Sequence, residues 1–475
     1  MYKRSGILSV YALLTAFLIT LTGCFKEDFS SSPADRLAFS TDSVLFDTIF
    51  TQQGTATKVF KVYNRNDKAL LISNIYIADA SNTGFYINVD GSKGPDVYNV
   101  EVSAHDSIFV FVEAKVNPSN QNKPLLIKDS IVFITNGARQ DVKLQAYGQD
   151  ALLLKNVELT EGTVTYTADK PYIVYDTLAV REGATLMLEA GTRLFFHDKA
   201  KLVVEGRIVA AGGINNPVTL RGDRTDNMFS YLPYDRLPGQ WNGVYIREKS
   251  YGNVFDHVHM RGTVNGLVLD SSDVNREKIA ISNSILHNSK NNLLTVNQSR
   301  VSIWNSEISN GAGSLIMMTG GVAELLQCTL ANYFSLFESI HQQMLFFNRF
   351  DDGTLITTPQ AVFDNCIIIG STGILFPVNI EGLPILFRSC LFGVSGSDDD
   401  NFINSVWKGN PMFNYVGGKE YIYDYRISNA ESSAFRSGDE SLLTDKARRD
   451  MYGVERPYGQ LPDIGAYQIP LADTQ

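Results

Sequence analysis

Cysteine is scarce in these 475 residues: there are four, with no Cys-x-x-Cys pair and no Cys/His spacing of a zinc site. That excludes a disulfide-stapled scaffold and a structural zinc module. Charge is also low, at 19% of residues, and no basic block follows the N-terminus. With 41 Lys+Arg against 51 Asp+Glu the chain carries −10, which argues against nucleic acid as a partner. There is no Gly-x-Ser-x-Gly elbow, no phosphate-cradling glycine loop, no His-Glu-x-x-His and no dinucleotide fingerprint, so nothing implies a cofactor or a resident metal. What is abundant is apolar: 44% of residues are hydrophobic and 11% aromatic, enough for large cores in more than one domain.

Only one long apolar run exists, Ile7 to Leu21, and basic Lys3 and Arg4 precede it. A charged start, a short apolar core and small residues before a cut make a secretory signal, too short for a comfortable membrane span. The run ends in Leu21-Thr22-Gly23-Cys24, which resembles the bacterial lipobox. The resemblance implies removal of residues 1–23 and lipidation of Cys24. Acyl chains contribute about 0.8 kcal/mol per buried methylene, so a multiply acylated Cys24 holds a protein on a membrane. Loss of Lys3 and Arg4 leaves 39 basic residues against 51 acidic ones, −12. Lys26, Glu27 and Asp28 resemble the signal that sends Bacteroidetes lipoproteins to the outer face of the outer membrane. The expected location is therefore the cell surface, with 24–36 as a lipidated tether and Ser30 to Ala34 as a flexible linker.

From 37 to 150 short strands alternate with turns. Val142, Leu144 and Ala146 alternate with polar neighbours, Phe60 and Val62 lead into a turn at Tyr63 to Asn66, and Ile108–Val112 and Ile131–Ile134 read as continuous buried runs. Strands every 8–15 residues suggest an immunoglobulin-like β-sandwich. With Asn136-Gly137 and the closing Ala146-Tyr147-Gly148-Gln149-Asp150, the segment resembles the N-terminal sandwich modules of Bacteroidetes surface lipoproteins. A spacer or interaction role follows from that resemblance.

Beyond it lies an internal repeat. Six-residue segments starting at Phe255, Ile281, Ile303, Leu325, Phe363 and Phe387 align without gaps, 26, 22, 22, 38 and 24 residues apart. Periods of about 20–25 residues mean a solenoid, whose coils bury their apolar edges by stacking. The first and sixth positions are always large and apolar. The third is Asn in three of six copies, with His257, Gln327 and Ser389 in the others, which suits a left-handed bend between two strands. The fourth is Val, Ser, Ser, Cys, Cys, Cys, a small inward site. Cys328, Cys366 and Cys390 thus read as stacked reduced thiols, with a disulfide between adjacent rungs as the alternative.

Upstream, eight-residue steps with Gly183, Gly191 and Gly206 at turns fit three short strands per coil. Glu189-Ala190-Gly191-Thr192, Asn216-Pro217-Val218-Thr219 and Gln240-Trp241-Asn242-Gly243-Val244 resemble the opening coils of right-handed parallel β-helix, pectin-lyase-like proteins. Asn410-Pro411-Met412-Phe413 and Asp463-Ile464-Gly465-Ala466-Tyr467 resemble their C-terminal cap. The resemblance implies an all-β chain: sandwich at 37–150, right-handed parallel β-helix at 151–404, and a cap at 405–475 covering the open end.

Enzymes of that fold are mostly polysaccharide lyases and glycoside hydrolases, which need paired carboxylates or a base beside a cation. The densest candidates are Asp256, His257, His259 and Arg261, with His287 and Lys290 one coil on; His257 and His259 are two apart and are expected to face one way along a strand. The competing reading makes His257 one more member of the Asn column. Asp398 to Asp400 read as a solvated loop rather than a Ca²⁺ site, since no ligand spacing follows. The 38-residue interval, which contains Asp351-Asp352-Gly353, carries an insertion rich in Gln, Met, Phe and Asn from Gln342 to Arg349, with Phe346 and Phe347 as candidate contact residues. No acid/base pair stands out. The expected function is a surface lipoprotein, not an enzyme, whose β-helix binds a glycan or an outer-membrane protein; a polysaccharide lyase or hydrolase and a structural scaffold are the alternatives.

Overall fold

A computed structural model describes residues 28–51, 53–336, 343–348, 350–351, 354–355, 357–371 and 380–470. Cys24, Lys26 and Glu27 lie outside them, as do Gln342, Arg349, Asp352 and Gly353. The chain forms two compact units that part between Gln149 and Asp150.

The first unit is an immunoglobulin-like sandwich of two five-stranded sheets. One sheet runs in the order Leu37–Phe39, Lys58–Asn64, Ser107–Ala114, Phe85–Val89, Ser92–Gly94, all antiparallel. The other runs Ser43–Phe50, Ala138–Gln149, Leu125–Thr135, Leu70–Ile77, Asp96–Val102, with its first pair parallel. Asn136 (φ 51°) and Gly137 (φ 73°) turn the hairpin between Leu125–Thr135 and Ala138–Gln149, the positive angles a two-residue turn demands. Two expectations need correction. Ile108–Val112 is not buried throughout: a sheet with one wet face alternates, so Ile108, Val110 and Val112 point inward while Phe109 and Phe111 point out. The described part of the tether is not a free linker either. Phe29 bridges to Ala69, Ser30 is buried and bonds Asp35, and Asp28 pairs with Lys68 at 2.7 Å.

The second unit is a right-handed parallel β-helix in which each coil passes through three sheets. Sheet I stacks ten strands from Gly162–Tyr166 to Phe402–Ile403. After a one-residue bend the chain enters sheet II, for instance Val258–Thr263, Ile285–Ser289 and Glu307–Gly311. It then crosses sheet III, for instance Leu267–Leu269, Leu294–Asn297 and Ile316–Thr319, and returns to sheet I.

The six aligned segments are the corners between sheets I and II. Their first, fourth and sixth residues are all 2% exposed or less and fill the core. The third residue is the bend: His257, Asn283, Asn305, Gln327, Asn365 and Ser389 all have φ between 50° and 54°. Asn reaches this left-handed region most easily, which is why it recurs. At the fourth position Ser284, Ser306, Cys328, Cys366 and Cys390 each donate to the carbonyl two residues back, at 2.6–3.5 Å. One geometry accepts either Ser or Cys, and the three thiols are free and buried.

The C-terminal segment differs from the expected end cap. Val406–Trp407 still pairs with Leu391–Phe392, so the helix runs to Trp407, not 404, and its last turn is filled by Trp407 stacked on Phe392, with the Phe402 ring set at a steep angle to both. From there a hairpin, Phe413–Gly417 with Ile422–Ile427, and the stretch to 470 lie along the side of the coils. Arg456, fully buried, donates to Asn305 Oδ1 (2.9 Å) and to the carbonyls of Ala447, Gly465 and Ala466. Asp439 O accepts from Asn365 Nδ2 at 2.9 Å, and Tyr425 donates to Asn310 at 2.7 Å. The left-handed corners turn side-chain amides outward, and this segment consumes them. Asn305→Ala removes an acceptor from a buried cation, so a loss of about 2–3 kcal/mol is expected, read as a lower urea midpoint.

Candidate functional site

On sheet II, residues two apart share the outer face. His259, Ile285 and Glu307 form one outward row, and Arg261, His287 and Ser309 the next. The flanking hairpin and the final stretch lay Tyr423, Asp424, Tyr425, Arg426, Tyr452 and Tyr467 opposite them, enclosing a cleft of about 440 Å³.

Nearly every charge in this cleft is answered by a neighbour. Arg261 grips Asp235 with Nε and Nη2 at 2.8 and 2.9 Å, and Arg221 reaches the same carboxylate at 2.9 Å. Burial opposes ionisation there, but the bonds and charge from Arg261, aided by Arg221, hold the Asp235 carboxyl below its ordinary range. Asp424 is forked by Arg426, which likewise outweighs burial. Glu307 accepts from Ser309 Oγ and Tyr467 Oη, yet full burial pushes its carboxyl up. Ser309 Oγ lies 2.7 Å from His287 Nδ1, completing a chain His287–Ser309–Glu307–Tyr467. The two histidines are neutral at pH 7. Desolvation, then the Arg261 charge, lowers His259 to about 4 and His287 to about 3. Such weak bases suit hydrogen bonding better than proton abstraction.

The four clustered candidates do not form one site. His257 is the bend residue, so it cannot continue the face that His259 starts. It sits with Asp256 at the corner, its Nδ1 3.1 Å from Asp256 Oδ1, while Ser282 and Asn283 donate to the same oxygen at 2.8 Å. His259 and Arg261 do line the cleft, as does His287; Lys290 lies in the turn beyond, its backbone N–H on Thr263 O. The insertion is elsewhere. Leu345–Asn348 pairs with Ile316–Thr319 in sheet III, where Phe346 is 37% exposed beside Met317. Phe347 points into the core instead, because neighbours on a strand alternate. Asp398 accepts from Trp407 Nε1 at 3.0 Å and Asp399 from Asn401 N at 2.7 Å, so both carboxylates brace the loop. Among the described residues no group of three or more His, Cys, Asp or Glu is arranged to hold a metal.

No family model matches this chain, and no curated protein does. Solved structures similar to it include pectate lyase Pel9A, 12% identical over 67% of this chain and 88% of that one, with a TM-score of 0.36. The Agl-KA catalytic domain is 9% identical over 75% and 72%, with a TM-score of 0.29. The ASH/PapD-like domain of human CEP192 is 9% identical over 27% of this chain and 94% of the domain, with a TM-score of 0.17.

Sequence reasoning missed Glu307 and the tyrosines. Glu307 was visible as the one carboxylate in a fifth-position column of His259, Ile285, Thr329, Ile367 and Leu391. It also passed over the second position, whose side chains (Asp256, Ser282, Trp304, Leu326, Asp364, Arg388) stack outward on sheet I. A second groove of about 630 Å³ runs there under residues 442–446, with Lys446 Nζ 4.9 Å from the Trp304 ring centre and Asp364 forked by Arg388.

The lowered histidines make stability depend on pH. Unfolded histidine titrates near about 6.5, so between there and about 4 the unfolded chain binds protons that folded His259 and His287 refuse. Stability therefore rises with pH through this window and is lost as pH falls. The melting temperature at pH 5 is expected to lie below that at pH 7, and His287→Gln is expected to shrink the difference.

Proposed function

We propose that this chain is a lipid-anchored surface protein that binds a glycan, without cleaving it, in the tyrosine- and histidine-lined cleft on the flank of its β-helix. Lipidation at Cys24, with Lys26, Glu27 and Asp28 as the surface signal, places the β-helix outside the cell. One observation carries the binding reading: the cleft joins open aromatic surface, Tyr452 being 43% exposed, to polar groups already paired with each other. Its size falls in the range of small-molecule and sugar subsites, roughly 300–1,000 Å³. Tyrosine hydroxyls and neutral imidazoles match sugar hydroxyls as donors and acceptors, and ring faces match their C–H surfaces.

Cleavage would ask for more than the cleft offers. A glycosidase needs one carboxylate as acid and another as base or nucleophile. Here Glu307 is enclosed by Ser309 and Tyr467, and Asp424 is neutralised by Arg426. A lyase needs a cation free to offset the substrate carboxylate, and Arg261 is held by Asp235.

Two experiments test this. A panel of neutral and acidic polysaccharides titrated into residues 25–475 is expected to yield a binder with no unsaturated uronide absorbance and no new reducing ends, with or without Ca²⁺. Tyr452→Ala is expected to weaken that binding about tenfold, about 1.4 kcal/mol. New products, or an affinity indifferent to Tyr452→Ala, would sink the reading. Separately, Cys24→Ala in cells is expected to move the protein from the membrane to the soluble fraction; membrane retention by the variant would remove the anchor.

A further inference from the structure

The outward side of the first unit's Leu37–Phe39/Lys58–Asn64/Ser107–Ala114/Phe85–Val89/Ser92–Gly94 sheet carries an apolar and basic surface. Cross-strand register sets it out in rows. Lys93, Asn88, Phe111 and Val59 face one another across four strands, and Lys61 sits opposite Phe109 in the next row. Val59, Tyr86, Phe109 and Phe111 are 54%, 51%, 44% and 39% exposed. A contiguous group of large apolar side chains left in water on a regular sheet marks an interaction site more often than an accident of packing. The two phenylalanine rings lie 6.3 Å apart, tilted 30° from parallel.

Charge identifies the occupant. Lys61 Nζ lies 4.8 Å from the Phe109 ring centre, and Arg65 lies 5.6 Å from that of Tyr63, which is on the same face. Lys93 stands at the far edge strand, and two carboxylates lie among them: Glu113, held by Thr57 Oγ1 at 2.7 Å, and exposed Asp90, whose backbone N–H bonds Phe109 O at 3.2 Å. Three cations to two anions is a net positive balance, the reverse of the whole chain's −10. On an acidic protein such a patch draws an anionic ligand and repels most of the protein's own surface. Stacked rings beside separated ammonium groups match a polymer of flat, C–H-faced rings that bears a regular negative charge.

We propose that this face of the sandwich binds an acidic polysaccharide, a polyuronate, with sugar faces on Phe109 and Phe111 and carboxylates on Lys61 and Lys93. The site is independent of the β-helix cleft. It makes the first unit a tether to a charged glycan layer rather than a passive spacer.

Affinity electrophoresis of the full chain tests it, in native gels containing polygalacturonate, alginate or dextran. Retardation is expected in both polyuronate gels and not in dextran, and it is expected to fall steeply with added NaCl. Phe109→Ser with Phe111→Ser is expected to abolish it, and Lys61→Glu to reduce it at least threefold. Both changes are at the surface, so melting temperatures close to the parent's confirm folding, and Lys61→Glu stands as the reading if the double variant does not fold. Tyr452→Ala is expected to leave retardation unchanged, which separates this site from the cleft. No retardation by either polyuronate, equal retardation by dextran, or retardation that survives these substitutions overturns the proposal. So does a parent chain that self-associates in sedimentation through Phe109 and Phe111 while ignoring polyuronate, an outcome that would make the face a protein interface.

Discussion

The β-helix depends on a single backbone constraint, the left-handed bend where sheet I meets sheet II. One residue with φ near 50° turns the chain so sharply that side chains on both sides of it point into the core. That is how the first, fourth and sixth positions of each unit all become interior. It is also how the fifth position, and the one just past the unit, become the outer face of sheet II. For a residue with a β-carbon this conformation costs roughly 1–2 kcal/mol, and Asn, with a short side chain able to bond locally, lowers that cost. Stacking repays the rest, since each coil buries its apolar rows against the next.

The same corners decide what the C-terminal segment does. Amides that leave the ladder sideways are acceptors and donors looking for partners, and a buried polar group without one costs about 1–3 kcal/mol. Arg456, Asp439 and Tyr425 supply those partners from the flank. Burial lowers the Arg456 guanidinium to about 10, against the opposing charges of Asp450 and Asp463, so even this cation is held at some expense. The cleft is a by-product of that attachment. Where the hairpin arches away from sheet II, tyrosines and neutral histidines are left facing each other across space.

Some of this was legible in the chain and some was not. The columns were legible because stacking repeats the same environment at each coil, so six independent segments report on one position. Asp256 to Arg261 misled for the opposite reason: a dense polar run looks like a site until one residue in it, His257, turns out to be the bend. Phe109 and Phe111 misled because an unbroken apolar run does not tell a doubly buried strand from one with a wet aromatic face. Phe347 was placed outside by its neighbour Phe346, which a strand necessarily points the other way.

By itself the sequence determined the repeat, the bends, the core columns and the reduced cysteines, because each depends on contacts between equivalent positions in adjacent coils. Only the tertiary structure decided that Tyr423, Tyr452 and Tyr467 meet His259, His287 and Glu307. Those residues lie more than a hundred positions apart, and no periodicity links them. Their pairing follows from how a non-repeating segment satisfies the polar groups of a repeating one, a problem that exists only once the coils are stacked.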